Sequence, residues 1–265
     1  MKKYGLFLLL VTVVIGSITA CETKCKKNQI GTANEDVLVV AISADFPPYE
    51  YVENNEYKGI DVEIAKAIGD KMGVEVQIKD MKFDTILGAV KSGEADIGIS
   101  GISITELRKK QVDFSQSYTT TVQTIVVKED SVIREASDLF RFGKYRRVGV
   151  QTGTTGDLYC TDDIELEGLG RVERYNAGED AIKALVAGKI DCVVIDQEPA
   201  REFVKRNQGL KILETAYAEE EYSVAIKKGN KRLTKNINQA LEELKNEGTI
   251  QKIVDKYINE KKEED

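Results

Sequence analysis

From Val37 onward, short apolar runs alternate with stretches whose apolar residues recur every three or four positions. Val37-Leu38-Val39-Val40-Ala41-Ile42 is continuously apolar, the pattern of a strand buried on both faces. Asp61 to Met72 carries Val62, Ala65, Ile68 and Met72 at helical spacing, and Gly73 follows where a helix-ending glycine belongs. Val74 to Ile78 alternates with period two and predicts a half-buried strand. Phe83 to Ser92 predicts a helix closed by Gly93. Asp96 to Ser100 predicts a short strand, and Thr105 to Lys110 a short charged helix capped by Thr105. Gln123 to Val127 predicts another strand. The second half repeats this grammar, with strands over Arg147–Val150, Val172–Tyr175, Asp191–Ile195 and Tyr222–Ile226. Its helices follow Gly153-Thr154-Thr155, then cover Glu179–Ala187, Pro199–Asn207, Lys231–Asn246 and Thr249–Ile258. Alternating strands and helices predict an α/β fold.

One internal echo suggests two similar units. Ala89 to Ile99 and Ala184 to Val194 both read as a helix end, a glycine, an aspartate and then an apolar strand. In each unit the strand delivers polar residues at its carboxyl end, Ser100 to Ser103 in one and Asp196-Gln197 in the other. Open α/β sheets bind ligands in that crevice.

Ahead of Val37 the pattern changes. Lys2 and Lys3 precede an apolar run, Leu6 to Ile18, that is too short for a comfortable membrane span and reads as a secretory signal. Its end, Ile18-Thr19-Ala20-Cys21, resembles a bacterial lipobox. That resemblance implies cleavage of a 1–20 signal peptide and a diacylglycerol, with a further fatty acyl chain, on Cys21. The polar segment 21–36 then reads as a flexible tether between lipid and domain, with no role evident for Cys25. The mature chain is expected on the extracytoplasmic face of a bacterial membrane.

Composition narrows the chemistry. The 265 residues include no histidine, which removes Ser-His-Asp and Cys-His catalysis and histidine metal sites. The net charge of −7 argues against nucleic acid as a partner. The four cysteines form no C-x-x-C, so no metal site is expected. Cys160 and Cys192 are either a disulfide or two buried thiols, the second being favoured by the apolar strand around Cys192. No cofactor is called for.

Three chemistries remain along the chain. Phe46, Tyr49 and Tyr51 surround two prolines and read either as an aromatic wall or as loop residues folded onto the core. Gly101, Ser103 and Arg108, with the Gly153-Thr154-Thr155 turn, provide backbone N–H groups and a guanidinium suited to a carboxylate. Asp196, closing the apolar run Cys192–Ile195, needs either a cation or a capping role for the next helix. An anion receptor, a cation receptor and an aromatic wall complement a free α-amino acid.

The motifs Phe46-Pro47-Pro48-Tyr49-Glu50, Gly59 to Ala65, Phe83-Asp84, Ser103 to Arg108, Val148 to Thr155 and Ile195-Asp196 resemble those of the solute-binding proteins of polar amino-acid ABC transporters. That is the family of the histidine-, glutamine- and lysine/arginine/ornithine-binding proteins. The resemblance covers about Val37 to Ile258. It implies a two-lobed periplasmic-binding-protein-like fold with a central ligand cleft and two hinge strands, Gln123–Val127 and Tyr222–Ile226. Lobe 1 would be 37–121 plus 226–260, and lobe 2 would be 122–225. By the same resemblance, Arg108 and the backbone N–H groups of Ser103 and Thr155 would hold the ligand carboxylate. Asp196, the Ser103 hydroxyl and the Gly101 carbonyl would hold its ammonium, Phe46 and Phe83 would sandwich its side chain, and Gln151 would face it. Ser43 stands where several relatives that bind cationic or amide side chains have Asp, which removes the obvious partner of a cationic head group. Gly101 stands where some relatives have Ser. The expected activity is capture of a polar or basic L-amino acid by a monomer that delivers it to an ABC permease, without catalysis. A sensing module and a dehydratase-like enzyme are the alternatives on the same fold.

Overall fold

The computed structural model describes residues 31–258 apart from residues 35, 142 and 144. The expected signal peptide, Cys21 and Cys25 lie outside the described residues. Among the described residues no helix is long and apolar enough to cross a membrane. The chain runs β1 (Val37–Ile42), β2 (Asp45–Phe46), β3 (Glu50–Glu53), β4 (Glu56–Lys58), α1 (Ile60–Met72), β5 (Glu75–Asp80), α2 (Phe83–Ser92), β6 (Ile97–Gly98), α3 (Glu106–Lys109) and β7 (Val112–Lys128). It continues with β8 (Arg146–Gln151), α4 (Thr155–Cys160), β9 (Gly170–Tyr175), α5 (Gly178–Val186), β10 (Cys192–Asp196), α6 (Gln197–Arg206), β11 (Leu210–Ile212), β12 (Ala218–Lys227), α7 (Lys231–Asn246) and α8 (Thr249–Ile258).

The strands form two halves of matching design. In one, β5, β1 and β6 are parallel with β1 central, and β12 lies antiparallel beside β6. In the other, β9, β8 and β10 are parallel with β8 central, and β7 lies antiparallel beside β10. β7 and β12 pair with each other from Gln123 opposite Ala218 to Val112 opposite Lys227, and so join the halves. The stretches expected as hinges lie in these two strands. Gln123–Val126 is paired to β10, Ala225–Ile226 to β6 and Glu221–Ser223 to the segment around Ser103, so the residues bonded only across the join are those just before Gln123 and just before Glu221.

The internal echo has a structural meaning. Gly93 and Gly188 both adopt left-handed backbone, with φ of 86° and 70°, and turn the chain out of α2 and α5. The aspartate that follows then clamps the neighbouring parallel strand. The backbone N–H of Val39 donates to Asp96 (2.9 Å), and that of Arg147 donates to Asp191 (2.7 Å). The N–H groups of Asp96 and Asp191 return hydrogen bonds to the carbonyls of Val39 and Arg147. One device thus sets the register of both halves.

Period-two alternation divides each half into two cores. Leu38, Val40 and Ile42 face α1, α7 and α8, whereas Ala41 packs with Ile86, Ala89 and Val90 of α2. In β10, Val193 and Ile195 pack with Ala181, Ile182 and Phe203 of α5 and α6, whereas Cys192 and Val194 join Cys160, Ile164 and Val148. Each fully buried Ile, Leu or Val contributes ~1.5–3 kcal/mol. Cys160 and Cys192 are two buried thiols.

Three expectations shift. β7 extends back to Val112 because Val112–Val122, rich in Ser and Thr, takes its hydrogen bonds from β12, a partner about 100 residues away that local pattern does not reveal. The aromatic segment after β1 is not a plain loop. It opens a small antiparallel sheet, β2-β3-β4, turned at Asn54 and Asn55 with positive φ. The tether expected to reach residue 36 is docked at its end: Ala33 N–H donates to Asp96 (2.8 Å), the Asn230 amide donates to the Gly31 carbonyl (2.7 Å), and Thr32 is buried.

Asp96 therefore satisfies backbone donors of both β1 and the segment before it. Asp96→Ala leaves the N–H groups of Ala33 and Val39 unpaired, and is expected to cost about 2 kcal/mol of stability in denaturant unfolding. A change below about 0.5 kcal/mol would mean that register does not depend on this clamp.

Candidate functional site

Side chains from β12, β7 and β10 converge where the halves join. Asp196, the last residue of β10, is 6% exposed. It occupies the cap position of α6 but makes no capping hydrogen bond. Its Oδ1 instead accepts from Thr121 (3.1 Å) and the Tyr222 hydroxyl (2.5 Å), and its Oδ2 from the Gln123 amide (2.7 Å). Three donors fix the carboxylate toward the cleft rather than toward the helix. Burial, and then the negative charge of Glu220, push its pKa up to about 6.

Arg108 approaches from the other half. Thr105 caps α3 by accepting from the Arg108 N–H (3.1 Å), which fixes the short helix that presents the guanidinium. Arg108 is 4% exposed. Its Nη1 donates to the Ser103 carbonyl (2.7 Å), and its Nη2 crosses to the Gly153 carbonyl (3.0 Å) in the second half. That engages two of the five N–H groups a guanidinium carries. No carboxylate among the described residues lies within ion-pair distance of it. The guanidinium carbon stands 5.5 Å from the centre of the Phe83 ring. Burial lowers its pKa, and the charges of Glu220 and Asp196 oppose that shift.

The expected residues come together. Phe46, Phe83, Gly101, Arg108, Gln151, Thr155 and Asp196 line one narrow cleft of about 10 Å³, with Ser43, Asp45, Glu50 and Thr154 beside them. That is room for about one water molecule, so a ligand needs the walls to part. Ser103 is buried behind Arg108. Its backbone pairs with Tyr222 in an isolated bridge that leaves its N–H without a partner among the described residues. Thr155 opens α4, where a backbone N–H has no acceptor within the helix. Gly101, at φ 54°, passes so close to Phe46 and Tyr222 that an added Cβ would stand 3.2 Å from each ring. The aromatic segment divides: Phe46 lines the cleft, whereas Tyr49 is buried edge-on against Tyr222 with ring centres 5.1 Å apart.

Sequence reasoning missed Glu220, Gln123 and Asp45. Glu220, 8% exposed, accepts at Oε2 from the hydroxyls of Ser103 (2.7 Å) and Thr155 (2.9 Å) and from the Gln123 amide (3.3 Å). It ties residues of both halves to the joining strand. Its signal was present: in β12, Tyr222 faces inward, and period two places Glu220, between exposed Glu219 and Glu221, on the same face. Asp45 accepts from Ser43 (3.3 Å) and, at 3.5 Å, from Gln151 across the cleft, while burial pushes its pKa up to about 6.

Glu50 and Asp61 form a buried carboxyl pair beside the cleft. Asp61 accepts from Tyr118 (2.9 Å) and the Gly101 N–H (2.6 Å), and Glu50 Oε1 accepts from Ser100. Glu50 Oε2 has no donor, which a proton carried there and shared with Asp61 explains. Burial and then the Asp61 charge hold the Glu50 pKa well above its ordinary value.

The match to the bacterial extracellular solute-binding proteins, family 3, spans residues 38–260. The chain belongs to this family. It is 33% identical over 264 residues to the arginine-binding extracellular protein ArtP of Bacillus subtilis (strain 168), covering 99% of this chain and 100% of the relative. An ancestral arginine-binding protein solved with arginine bound superposes with a TM-score of 0.79 at 39% identity, over 84% of this chain and 98% of that one. An ancestral amino-acid-binding protein, AncCDT-1, described as a precursor of cyclohexadienyl dehydratase, gives 0.76 at 31% identity, over 84% and 95%. These relatives are two-lobed amino-acid-binding proteins, and the present fold is of that class.

Asp45, Asp61 and Asp196 each hold a proton to about pH 6 in the folded chain, against 3.8 ordinarily. Folding takes up protons between those values, so the contribution of these groups is fully present below about pH 4 and lost as pH rises through about 6. Glu106 and Glu165, whose pKa values are lowered by Lys109 and Arg174, act in the opposite sense only below their ordinary 4.5. The ligand-free chain should therefore melt at higher temperature at pH 5 than at pH 7.5. A lower melting temperature at pH 5 would contradict the raised values.

Proposed function

We propose that this chain is a lipid-anchored receptor that captures a free polar or basic L-amino acid between its two halves and delivers it to the permease of an ABC importer. The observation that carries this reading is the buried Arg108 guanidinium, which has unspent donors and shares one cleft with the carboxylate of Asp196. A buried cation and a buried anion held apart are costly alone and complement a zwitterion. Arg108 and the N–H groups of Ser103 and Thr155 take the ligand carboxylate. Asp196, the Gly101 carbonyl and the Ser103 oxygen take its ammonium. Because the Ser103 hydroxyl spends its hydrogen on Glu220, its lone pairs are left to accept from that ammonium. Phe46 and Phe83 flank the side chain.

Lobe 1 comprises 37–121 plus 226–260, and lobe 2 comprises 122–225. Each receptor draws on both, so the ligand favours the closed state, and β7 and β12 take up the rotation. Relatives named for arginine and for other amino acids support the substrate class. The relatives are named as binding proteins, which supports capture rather than dehydration. The lipobox-like Ile18–Cys21 supports anchoring, with the body acting as a monomer outside the cytoplasm.

Arg108→Ala and Asp196→Ala should each weaken binding of the cognate amino acid by at least about 100-fold in calorimetry, with the melting curve retained. Near-native affinity in either variant would misplace the receptor. The cognate amino acid should shrink the radius of gyration in solution scattering and be recovered unchanged. Gly153→Ala should blunt both responses, because its Cβ would meet that of Asp84, in the opposite half, at 3.1 Å in left-handed backbone. For the anchor, Cys21→Ser should abolish incorporation of labelled fatty acid, and persistent labelling would remove the lipid from the scheme.

A further inference from the structure

The cleft holds more negative charge than a simple zwitterion uses. Of its lining residues only Arg108 is cationic, whereas Asp45, Glu50 and Asp196 are acidic. Glu50 is neutralised by the proton it shares with Asp61. A ligand carboxylate pairs with Arg108, and a ligand ammonium with Asp196. Asp45 is then left over.

Asp45 is placed as a receptor rather than as a surface acid. It lies on β2, beside Phe46, and faces Gln151 of β8 across the cleft. The Ser43 hydroxyl and the Gln151 amide both reach Oδ1, at 3.3 Å and 3.5 Å. Oδ2 takes no donor from the described residues. The strongest charges acting on Asp45 are those of Asp80 and Asp180, also acidic. Lys82, beside Phe83 in the chain, donates from its ammonium to the Asn176 amide oxygen (3.4 Å). Ser43, which stands where a carboxylate was expected for a cationic head group, thus supports one from two residues along the chain.

On the receptor reading above, we infer that Asp45 takes the positively charged head of the ligand's side chain, and that the site selects amino acids with a cationic side chain. The head group neutralises a carboxylate that forms no ion pair among the described residues. Phe46 and Phe83 cover the aliphatic stem, and their faces suit a guanidinium. Gln151 adds a polar contact from the second half, so recognition of the head group is also completed by closure.

The test is calorimetry of the wild type, Asp45→Asn and Asp45→Ala with arginine, lysine, citrulline and glutamine, each variant first checked by its melting curve. Citrulline matters because it keeps the shape of arginine without its charge. The wild type should bind arginine or lysine at least about 100-fold more tightly than citrulline, because a neutral head leaves Asp45 desolvated without a partner. Asp45→Asn should lose at least about tenfold for the cationic ligand, with citrulline changed less than about threefold. Equal wild-type affinity for citrulline and arginine, or an Asp45→Asn variant that keeps the full preference, would overturn the inference while leaving the receptor reading intact. Absence of binding to any amino acid would overturn both.

Discussion

Everything at the centre of this molecule follows from the need to keep a buried guanidinium and two buried carboxylates apart. Arg108, Asp196 and Glu220 are all buried, yet no carboxylate among the described residues pairs directly with Arg108. Left to collapse, they would form an ion pair and close the site. Three constraints prevent it. Thr105 caps the short helix that carries Arg108, and backbone carbonyls from both halves hold its Nη atoms. Thr121, Gln123 and Tyr222 fasten Asp196 from two neighbouring strands. Ser103 and Thr155 hold Glu220. The fold supplies rigid sheets so that charges can be held at a spacing they would not choose.

Much of this was legible in the sequence, because the signals were local. β1, α2, α7 and α8 follow apolar periodicity and glycine ends, and the Thr105 cap is a single-residue signature. Arg108 and Asp196 stood out because a charged residue at an element boundary beside an apolar run needs an explanation. What escaped depended on distant partners. The first half of β7 is polar and becomes a strand only because β12 lies beside it. Glu220 sits in a run of three glutamates that reads as a solvated face until the inward direction of Tyr222 is known. Asp45 escaped because attention fell on Ser43, and its place in the cleft lining beside Ser43 depends on the β2–β3 pairing.

The repeated clamp of Asp96 and Asp191 gives the two halves the same internal register while their surfaces differ. Each half fixes its own central strand and needs the other only through β7 and β12. That separation of duties allows the halves to move as bodies while the cleft residues keep their orientation within each.

Gln123 holds a further consequence. Its amide nitrogen lies 2.7 Å from Asp196, 3.3 Å from Thr155 and 3.3 Å from Glu220, yet an amide nitrogen has only two hydrogens. One acceptor is always short. The hydrogen that leaves one acceptor has two others within reach, Glu220 and Thr155 among them. The centre can therefore trade hydrogen bonds between the two halves by relocating one hydrogen, with no backbone atom moved.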